Sequence, residues 1–331
     1  MTDFLIQSFF GQPLWMWLAF IALVLLLLVF DLGVLNRESR QLGVAESLRL
    51  SLFYIAIAIA FGGVIWWWFD TRADGSSPVL DYFTGYFIEK SLSIDNVFVI
   101  ALIFGYFGIP AALQYRALVI GIVAAIVLRG VMIGAGSTLV QSYNWVLYLF
   151  AAFLIVTGLK MLVVPDKEPE IGENALVRFL RRHMRVTEDL HGQRFFVRPA
   201  GKTAVYATPL FLALVVINVA DIVFAVDSVP AILAITTDTF IVYTANIMAI
   251  LGLRALYFAL AAMVHRFHYL KYAMAAVLIF IGAKIFWTQF VGHVHPALSL
   301  AITLALLGSG IAVSLWATRG DKNGAADTNA A

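Results

Sequence analysis

The chain has 331 residues, of which 62% are hydrophobic and 13% charged, and its formal net charge is +2. Soluble domains carry roughly 25% charged residues, so this composition excludes an ordinary soluble protein and indicates a polytopic membrane protein. The sequence contains no cysteine. Disulfides, thiolate metal ligands and thiol redox chemistry are therefore excluded for this chain, and a bound metal would use oxygen or nitrogen ligands.

Apolar windows of about 20 residues predict about nine membrane-spanning helices, so the predicted fold class is all-α. The first window has no basic residue before it and no small-residue cleavage site after it, which favours a membrane span over a signal peptide. The predicted spans are 14–35, 48–69, 79–108, 114–138, 144–164, 204–235, 240–264, 269–290 and 296–317.

The segment 165–203 is rich in arginine and lysine, and it is short enough for the positive-inside rule to place it in the cytoplasm. Alternation of the spans then predicts an N-terminus outside and a C-terminus inside. The polar, small-residue segment 319–331 is predicted to be a disordered cytoplasmic tail.

The third predicted span contains the polar stretch EKSLSIDNVFV, from Glu89 to Val99. Each ionised side chain in the middle of a bilayer costs at least about 2.5 kcal/mol, so such a cluster indicates a functional site. The sixth span contains DIVFAVDSVPAI, residues 221–232, in which two acids are again six residues apart.

These two stretches begin an internal repeat. Residues 125–132 resemble 249–256, and residues 151–162 resemble 275–286, in the same order. A repeat of three spans enters the membrane from opposite sides in its two copies, which is the inverted-topology repeat of many secondary transporters. The predicted organisation is two helices in 1–78, a first repeat in 79–164, the basic loop 165–203, a second repeat in 204–290, a last helix in 291–318 and the tail 319–331.

Helix geometry constrains the acids. Glu89 and Asp95 lie about 120° and about 9 Å apart on a continuous helix, so one straight helix cannot chelate an ion with both. Either Asp95 faces Asp227 and Glu89 faces Asp221, or the helices are broken. Pro230 favours a break in the second copy, and we expect facing pairs with local unwinding there.

Buried ion pairing is the structural alternative. The predicted spans contain the acids Asp31, Glu89, Asp95, Asp221 and Asp227 and the bases Lys90, Arg129, Lys160, Arg254 and Lys284. Lys160 and Lys284 lie towards span ends and can extend to the headgroups, which leaves a central excess of acid. Arg129 and Arg254 lie near mid-span, and each is expected to pair with an acid or a backbone carbonyl.

Carboxylates, an asparagine and a serine are hard oxygen ligands suited to Mg²⁺, Ca²⁺ or Mn²⁺. His293 and His295 have metal-ligand spacing, but a solvated loop is the simpler interpretation. The Gly-x-Gly-Asp signature of intramembrane aspartyl proteases is absent, and Ser137 has no histidine in a neighbouring span. No phosphate-binding glycine loop occurs. We therefore expect no enzyme activity, no resident cofactor and no nucleic-acid partner.

Three stretches, EKSLSIDNVFV, ATPLFLALVVINVADIVFAVDSVPAI and LGLRALYF, resemble the TerC family, and most closely its Alx-type members. The resemblance runs from the first span to about Trp287. It implies a manganese exporter of the bacterial inner membrane. The positions that match the acidic motifs of the family, and that the resemblance implies as metal ligands, are Asp31, Glu89, Asp95, Asn96, Asp221, Asp227 and Ser228. The sequence departs from the Alx pattern at Asn218, where a glutamate is expected.

Two functions stay open. In the first, Mn²⁺ from the cytoplasm is held between residues 95–96 and 227–228, Glu89 and Asp221 support the site or carry protons, and the repeats rock around it. In the second, the protein is a membrane scaffold or accessory factor with structural ion pairs, and it docks secreted metalloenzymes or the export machinery.

Overall fold

A computed structural model shows a chain built from long α-helices. It describes residues 6–33, 43–69, 77–143, 145–163, 175–198, 204–261, 270–292 and 294–327, and for some helical residues, among them Asp95 and Arg254, the backbone alone. The helices are α1 (Leu14–Gly33), α2 (Val44–Phe69), α3 (Pro78–Tyr106), α4 (Ala111–Ser142), α5 (Trp145–Val163), α6 (Ala175–His183), α7 (Pro209–Leu233), α8 (Thr239–Leu251), α9 (Leu253–Ala261), α10 (Leu270–Phe290) and α11 (Pro296–Asp327). Two antiparallel hairpins pair β1 (Ser8–Phe9) with β2 (Gln12–Pro13) and β3 (Phe196–Val197) with β4 (Tyr206–Ala207).

Seven helices in the described part of the chain are long and apolar enough to cross a membrane, namely α1, α2, α4, α5, α7, α10 and α11. An α-helix satisfies its backbone hydrogen bonds within the segment, which hydrocarbon requires. Helix α3 has 29 residues but carries charged residues in its middle. The chain is therefore an all-α polytopic membrane protein, as predicted, whereas the count of nine spans and their orientation stay predictions.

The structure divides the predicted span 240–264 into two helices. Helix α8 has 13 residues and is capped at its start by Asp238, whose carboxylate accepts hydrogen bonds from the backbone amides of Phe240 and Ile241. It ends at Leu251, and a turn at Gly252 separates it from α9. Glycine is a poor helix former because it loses the most backbone entropy, which is consistent with a break at this residue.

Helix α7 continues through Pro230, so the prediction of local unwinding there is wrong. Pro230 lies in the last turn of the helix, where its missing amide removes one backbone bond close to an end that leaves carbonyls unpaired in any case. Its own carbonyl still accepts a hydrogen bond from the Ala234 amide at 2.9 Å, which closes the turn.

Helices α5 and α10 cross closely at two glycines. A Cβ atom at Gly158 would lie 2.7 Å from the carbonyl oxygen of Ala275, and one at Gly282 would lie 2.6 Å from that of Ala151. The two helices therefore run antiparallel. The repeat alignment pairs Ala151 with Ala275 and Gly158 with Gly282. The contact of Gly158 with Ala275 is therefore equivalent to that of Gly282 with Ala151, as a local two-fold axis would make it.

Helices α3 and α7 also run in opposite directions. The side chain of Ile232, at the end of α7, packs against Gly85 near the start of α3, whereas Ile217 of α7 shares a cavity wall with Asn96, further along α3. An inverted repeat requires the first helices of the two copies to be antiparallel, as they are here. The repeat itself stays a prediction.

Part of the predicted loop 165–203 is ordered secondary structure. Val177 on one face of α6 is buried in the core against α7, whereas Arg178, Arg181 and Arg182 are exposed. At the other end of the chain, α11 extends to Asp327 and so includes residues 319–327 of the predicted tail. A helix that continues past the apolar segment keeps its backbone hydrogen bonds formed.

We predict that Gly158→Ala and Gly282→Ala each lower the melting temperature of the detergent-solubilised protein. Each new methyl group would overlap a backbone oxygen that can move only with its helix, and overpacking of this kind costs about 1–3 kcal/mol. Gly63→Ala in α2 is the matched control, because a Cβ there has no atom within 4 Å. Equal melting temperatures for all three variants would contradict the close crossing.

Candidate functional site

A cluster of charged and polar side chains lies in the interior where α3, α4, α7 and α8 meet. Glu89 comes from α3, Arg129 from α4, Asp221 from α7 and Asn246 from α8. On α3, α4 and α7 these residues are at least about 16 Å from either helix end along the axis. The cluster is therefore placed at the middle of the helices.

Arg129 binds both acids of the cluster. Its Nη1 donates to the Glu89 carboxylate, while its Nη2 and Nε donate to the two oxygens of Asp221 at 2.8 and 3.2 Å. The side chains of Arg129 and Glu89 are 1% and 0% exposed, so neither charge is solvated by water. The fork-shaped bond to Asp221 fixes the orientation of both groups. The expectation that Arg129 pairs with an acid is confirmed.

Neutral side chains complete the cluster. Asn246 Nδ2 donates to the second oxygen of Glu89 at 3.0 Å, and its Oδ1 lies 3.3 Å from Arg129 Nη1. Ser228 Oγ lies 3.4 Å from the same nitrogen. Asn246 was missed by the sequence analysis because one asparagine without a charged neighbour in the mainly apolar run TFIVYTANIMAIL gives no pattern.

A small cavity of about 30 Å³ borders Asp221, with walls from α3, α4, α7, α8 and α9. Its lining is apolar except for Asn96, Asn218 and Asp221. A volume of this size holds about one or two water molecules, or one small ion. The side chain of Asp221 is 14% exposed, in contrast to that of Glu89. Asp221 therefore belongs to the cluster and to the cavity at once.

Two amides line this cavity, and one of them has an unused hydrogen-bonding group. Asn218 Nδ2 donates to the Leu214 carbonyl at 2.8 Å, but its buried Oδ1 has no partner among the described residues. Asn96 is 3% exposed and lines the same cavity. Buried polar groups are nearly always bonded, so the free acceptor of Asn218 indicates a place for water or a ligand.

The remaining predicted site residues are not joined to the cavity. Asp227 is half-buried on α7 and interacts electrostatically with Lys160 of α5. Asp31 is buried at the end of α1, where the Tyr115 hydroxyl donates to its backbone carbonyl at 3.3 Å. Tyr115 precedes Arg129 by about 21 Å along α4, so Asp31 lies at a different level from the cluster.

Of the facing pairs that were predicted, the structure brings Glu89 and Asp221 together through Arg129. The pairing of Asp95 with Asp227 cannot be compared in the same way, because the side chain of Asp95 lies outside the described residues. Asn96 lines the cavity together with Asp221, and Ser228 lies beside Arg129, whereas the predicted contact between 95–96 and 227–228 stays a prediction. Among the described side chains, no three acids or histidines converge as a metal cluster.

A family model for integral membrane proteins, the TerC family, matches residues 75–322, which include the cluster and the cavity. The chain belongs to the TerC family. The match covers both acidic stretches of α3 and α7 and agrees with the resemblance seen in the sequence.

Relatives in the TerC family share more than two-fifths of their residues with this chain. Alx of Escherichia coli strain K12, provisionally named a membrane-bound redox modulator, is 43% identical over 310 residues, covering 92% of this chain and 95% of Alx. Alx of Photorhabdus laumondii, with the same name, is 42% identical over 313 residues, covering 93% and 97%. An uncharacterized membrane protein of Rickettsia bellii is 44% identical over 293 residues, covering 88% and 95%. No solved structure matches the chain.

We predict that Arg129→Gln strongly destabilises the protein, because it leaves Glu89 and Asp221 buried without a counter-charge. Removal of one partner of a buried ion pair costs about 3–5 kcal/mol. The measurement is the melting temperature and the monodisperse yield in detergent. Arg178→Gln on the exposed face of α6 is the control.

A second substitution tests whether the unpaired acids cause the loss of stability in Arg129→Gln. Glu89→Gln added to Arg129→Gln should restore part of the lost stability, since only Asp221, which borders the cavity, would then stay charged. A melting temperature of Arg129→Gln equal to that of the wild type would show that the cluster does not hold the four helices together.

Proposed function

We propose that the protein is a secondary transporter that exports Mn²⁺ from the cytoplasm across the bacterial inner membrane. The observation that carries the proposal is the cavity beside Asp221, which offers one carboxylate and two amides, Asn96 and Asn218, with Asn218 Oδ1 unpartnered among the described residues. Oxygen ligands of this kind suit hard divalent cations such as Mn²⁺. Water molecules would complete the coordination of the ion.

The charge of the site fits a transported ion. Arg129 neutralises one of the two carboxylates that it binds, which leaves the cluster with one net negative charge when both are ionised. An ion in the cavity would share Asp221 with the guanidinium, and the repulsion between the two cations would weaken its binding. Transport requires a site that an ion can enter and also leave, so moderate affinity is favourable.

The helix directions support an alternating-access mechanism. The cavity lies between α3 and α7, and these helices are antiparallel, as are α5 and α10. In transporters with inverted repeats, one repeat rocks against the other around a site at their boundary. In our proposal Asp95 and Asp227, with Ser228, take part in the route of the ion as this boundary opens on either side.

Without a phosphate-binding glycine loop, transport by this chain would be driven by an ion gradient. We propose that export is coupled to proton movement. Asp31, at the end of α1 and far from the cluster, would be passed by an ion on its way from the cytoplasm.

The choice of manganese as the ion and of export as the direction rests on the resemblance to Alx-type members. The Alx relatives themselves carry a name that describes redox modulation. A redox role of this chain would have to proceed without thiols, because the sequence contains no cysteine.

The accessory role has its own supporting observation. The ions of the Arg129 cluster are bonded to one another, as a structural ion network would be. An exposed surface of the 175–207 region combines Phe179 and Phe196 with arginines and could dock a partner such as a secreted metalloenzyme or the export machinery. In this second candidate function, neutralising an acid lowers folding and not flux.

We predict that proteoliposomes containing the wild-type protein take up Mn²⁺ under an imposed pH gradient, and that Asp221→Asn abolishes most of the flux. Asp95→Asn and Asp227→Asn should do the same if both acids lie on the route. Asp189→Asn is the control, because that aspartate is exposed and outside the membrane helices. Folding is checked by gel filtration. Normal flux in all three folded site variants would overturn the site, and no flux in the wild type would favour the accessory role.

We predict that Asn218→Asp raises the affinity for Mn²⁺ and lowers the maximal rate of transport. The new carboxylate would add a charge to the cavity, where Asn218 Oδ1 has no partner. An added charged ligand strengthens cation binding, and a tightly held ion leaves slowly. Isothermal titration with Mn²⁺ measures the affinity, and Asn218→Leu should lower it. If both variants bind Mn²⁺ as the wild type does, Asn218 is not a ligand.

A further inference from the structure

The turn between α8 and α9 exposes backbone carbonyls inside the helix bundle. Helix α8 ends at Leu251, and the amide of Gly252 bonds to the carbonyl of Ile250 instead of continuing the α-helical pattern. The last carbonyls of a helix have no amide partner within it and carry a partial negative charge. In a membrane protein such carbonyls need a donor from elsewhere.

The donor is the ammonium of Lys90, from the next position after Glu89 on α3. Its Nζ donates to the Ala249 carbonyl at 3.2 Å. The ion pairs shown between described side chains, those of Arg129 with Glu89 and with Asp221, do not include Lys90. The counter-charge of this lysine is thus the carbonyl end of α8, within the part of the chain that the structure describes.

Gly252 makes room for this ammonium. A Cβ atom at Gly252 would lie 2.7 Å from Lys90 Nζ and 3.2 Å from Tyr54 Cβ. The backbone of Gly252 has φ −82° and ψ −1°, which any residue can adopt, so conformational freedom is not what requires glycine here. The missing side chain leaves the space that the cation fills.

The ends of broken helices bind monovalent cations in membrane transporters, through the same unpaired carbonyls. A lysine ammonium is a compact point charge on a flexible stem, comparable with such an ion. We propose that the break between α8 and α9 is a site for a monovalent cation, and that the ammonium of Lys90 is the cation that fills it. The protein therefore needs no dissolved Na⁺ or K⁺ at this site.

The hydrogen bond from Lys90 to the Ala249 carbonyl also joins α3 to α8. Glu89 and Lys90 are neighbours on α3, so one turn of this helix is held to α4 by Arg129 and to the end of α8 by the ammonium. A lysine that only links two helices would make the same hydrogen bond. The two roles differ in one respect, because a cation site accepts a free cation when the lysine is shortened, whereas a simple link does not.

The test uses the purified full-length protein and its Lys90→Ala variant in detergent. Melting temperatures are measured in choline chloride and in KCl, NaCl or methylammonium chloride at equal ionic strength, since choline is too large for the site. We expect the wild type to melt at the same temperature in all four salts. Lys90→Ala should melt lower in choline chloride and regain about 2–4 °C, saturably, in NaCl or KCl.

Arg182→Ala is the control, because Arg182 is exposed on α6, and the melting temperature of this variant should not depend on the cation. A folded Lys90→Ala protein with the same melting temperature in every salt would overturn the proposal. Restoration by methylammonium alone would also overturn it as a site for metal cations, and would leave Lys90 as a hydrogen-bonding link.

Gly252→Ala keeps the proposal testable if Lys90→Ala does not fold. In the wild-type background the new methyl group should displace the ammonium and lower the melting temperature, whereas Gly63→Ala should not. In the Lys90→Ala background the same substitution should cost less, and this difference is the coupling between the two positions. A Gly252→Ala protein as stable as Gly63→Ala would show that no cation is held at the break.

Discussion

The guanidinium of Arg129, held between the carboxylates of Glu89 and Asp221, is the constraint on which the interior of this protein depends. Each of these ions costs several kcal/mol to bury, so the three are stable only together and only in one geometry. Because they come from three helices and Asn246 from a fourth, that geometry fixes α3, α4, α7 and α8 against one another. Apolar packing alone would not select this arrangement in lipid, where side chains gain little from leaving the hydrocarbon.

Asp221 connects this constraint to function. It is bonded on both oxygens by Arg129 and yet faces a cavity lined by two amides, Asn96 and Asn218, of which Asn218 has an unused acceptor. A carboxylate shared in this way binds an incoming cation less tightly than a free one. In the proposed function, stability and transport would therefore both depend on Asp221, and a change at Arg129 would alter both.

Glycines that allow close contacts with backbone oxygens are the second feature that holds the helices together. Gly158 and Gly282 let α5 and α10 cross so closely that each glycine lies against a backbone carbonyl of the other helix. Gly252 leaves space for the ammonium of Lys90 at the end of α8. In each case the small residue allows a contact with a backbone oxygen that a side chain would block. Packing through small residues and hydrogen bonds to polar groups is how membrane helices associate.

The sequence by itself determined the all-α membrane class, the acidic stretches of α3 and α7 and the need of Arg129 for an acid or a backbone carbonyl, because hydropathy and the cost of buried charge act on every residue locally. It could not show that Asn246 and Ser228 complete the cluster, that Asp227 lies apart from Asp221, or that the break falls at Gly252 and not at Pro230. Those outcomes depend on which helix faces which, and only the tertiary structure decides that, because the direction of a side chain on its own helix does not determine which neighbouring helix lies there.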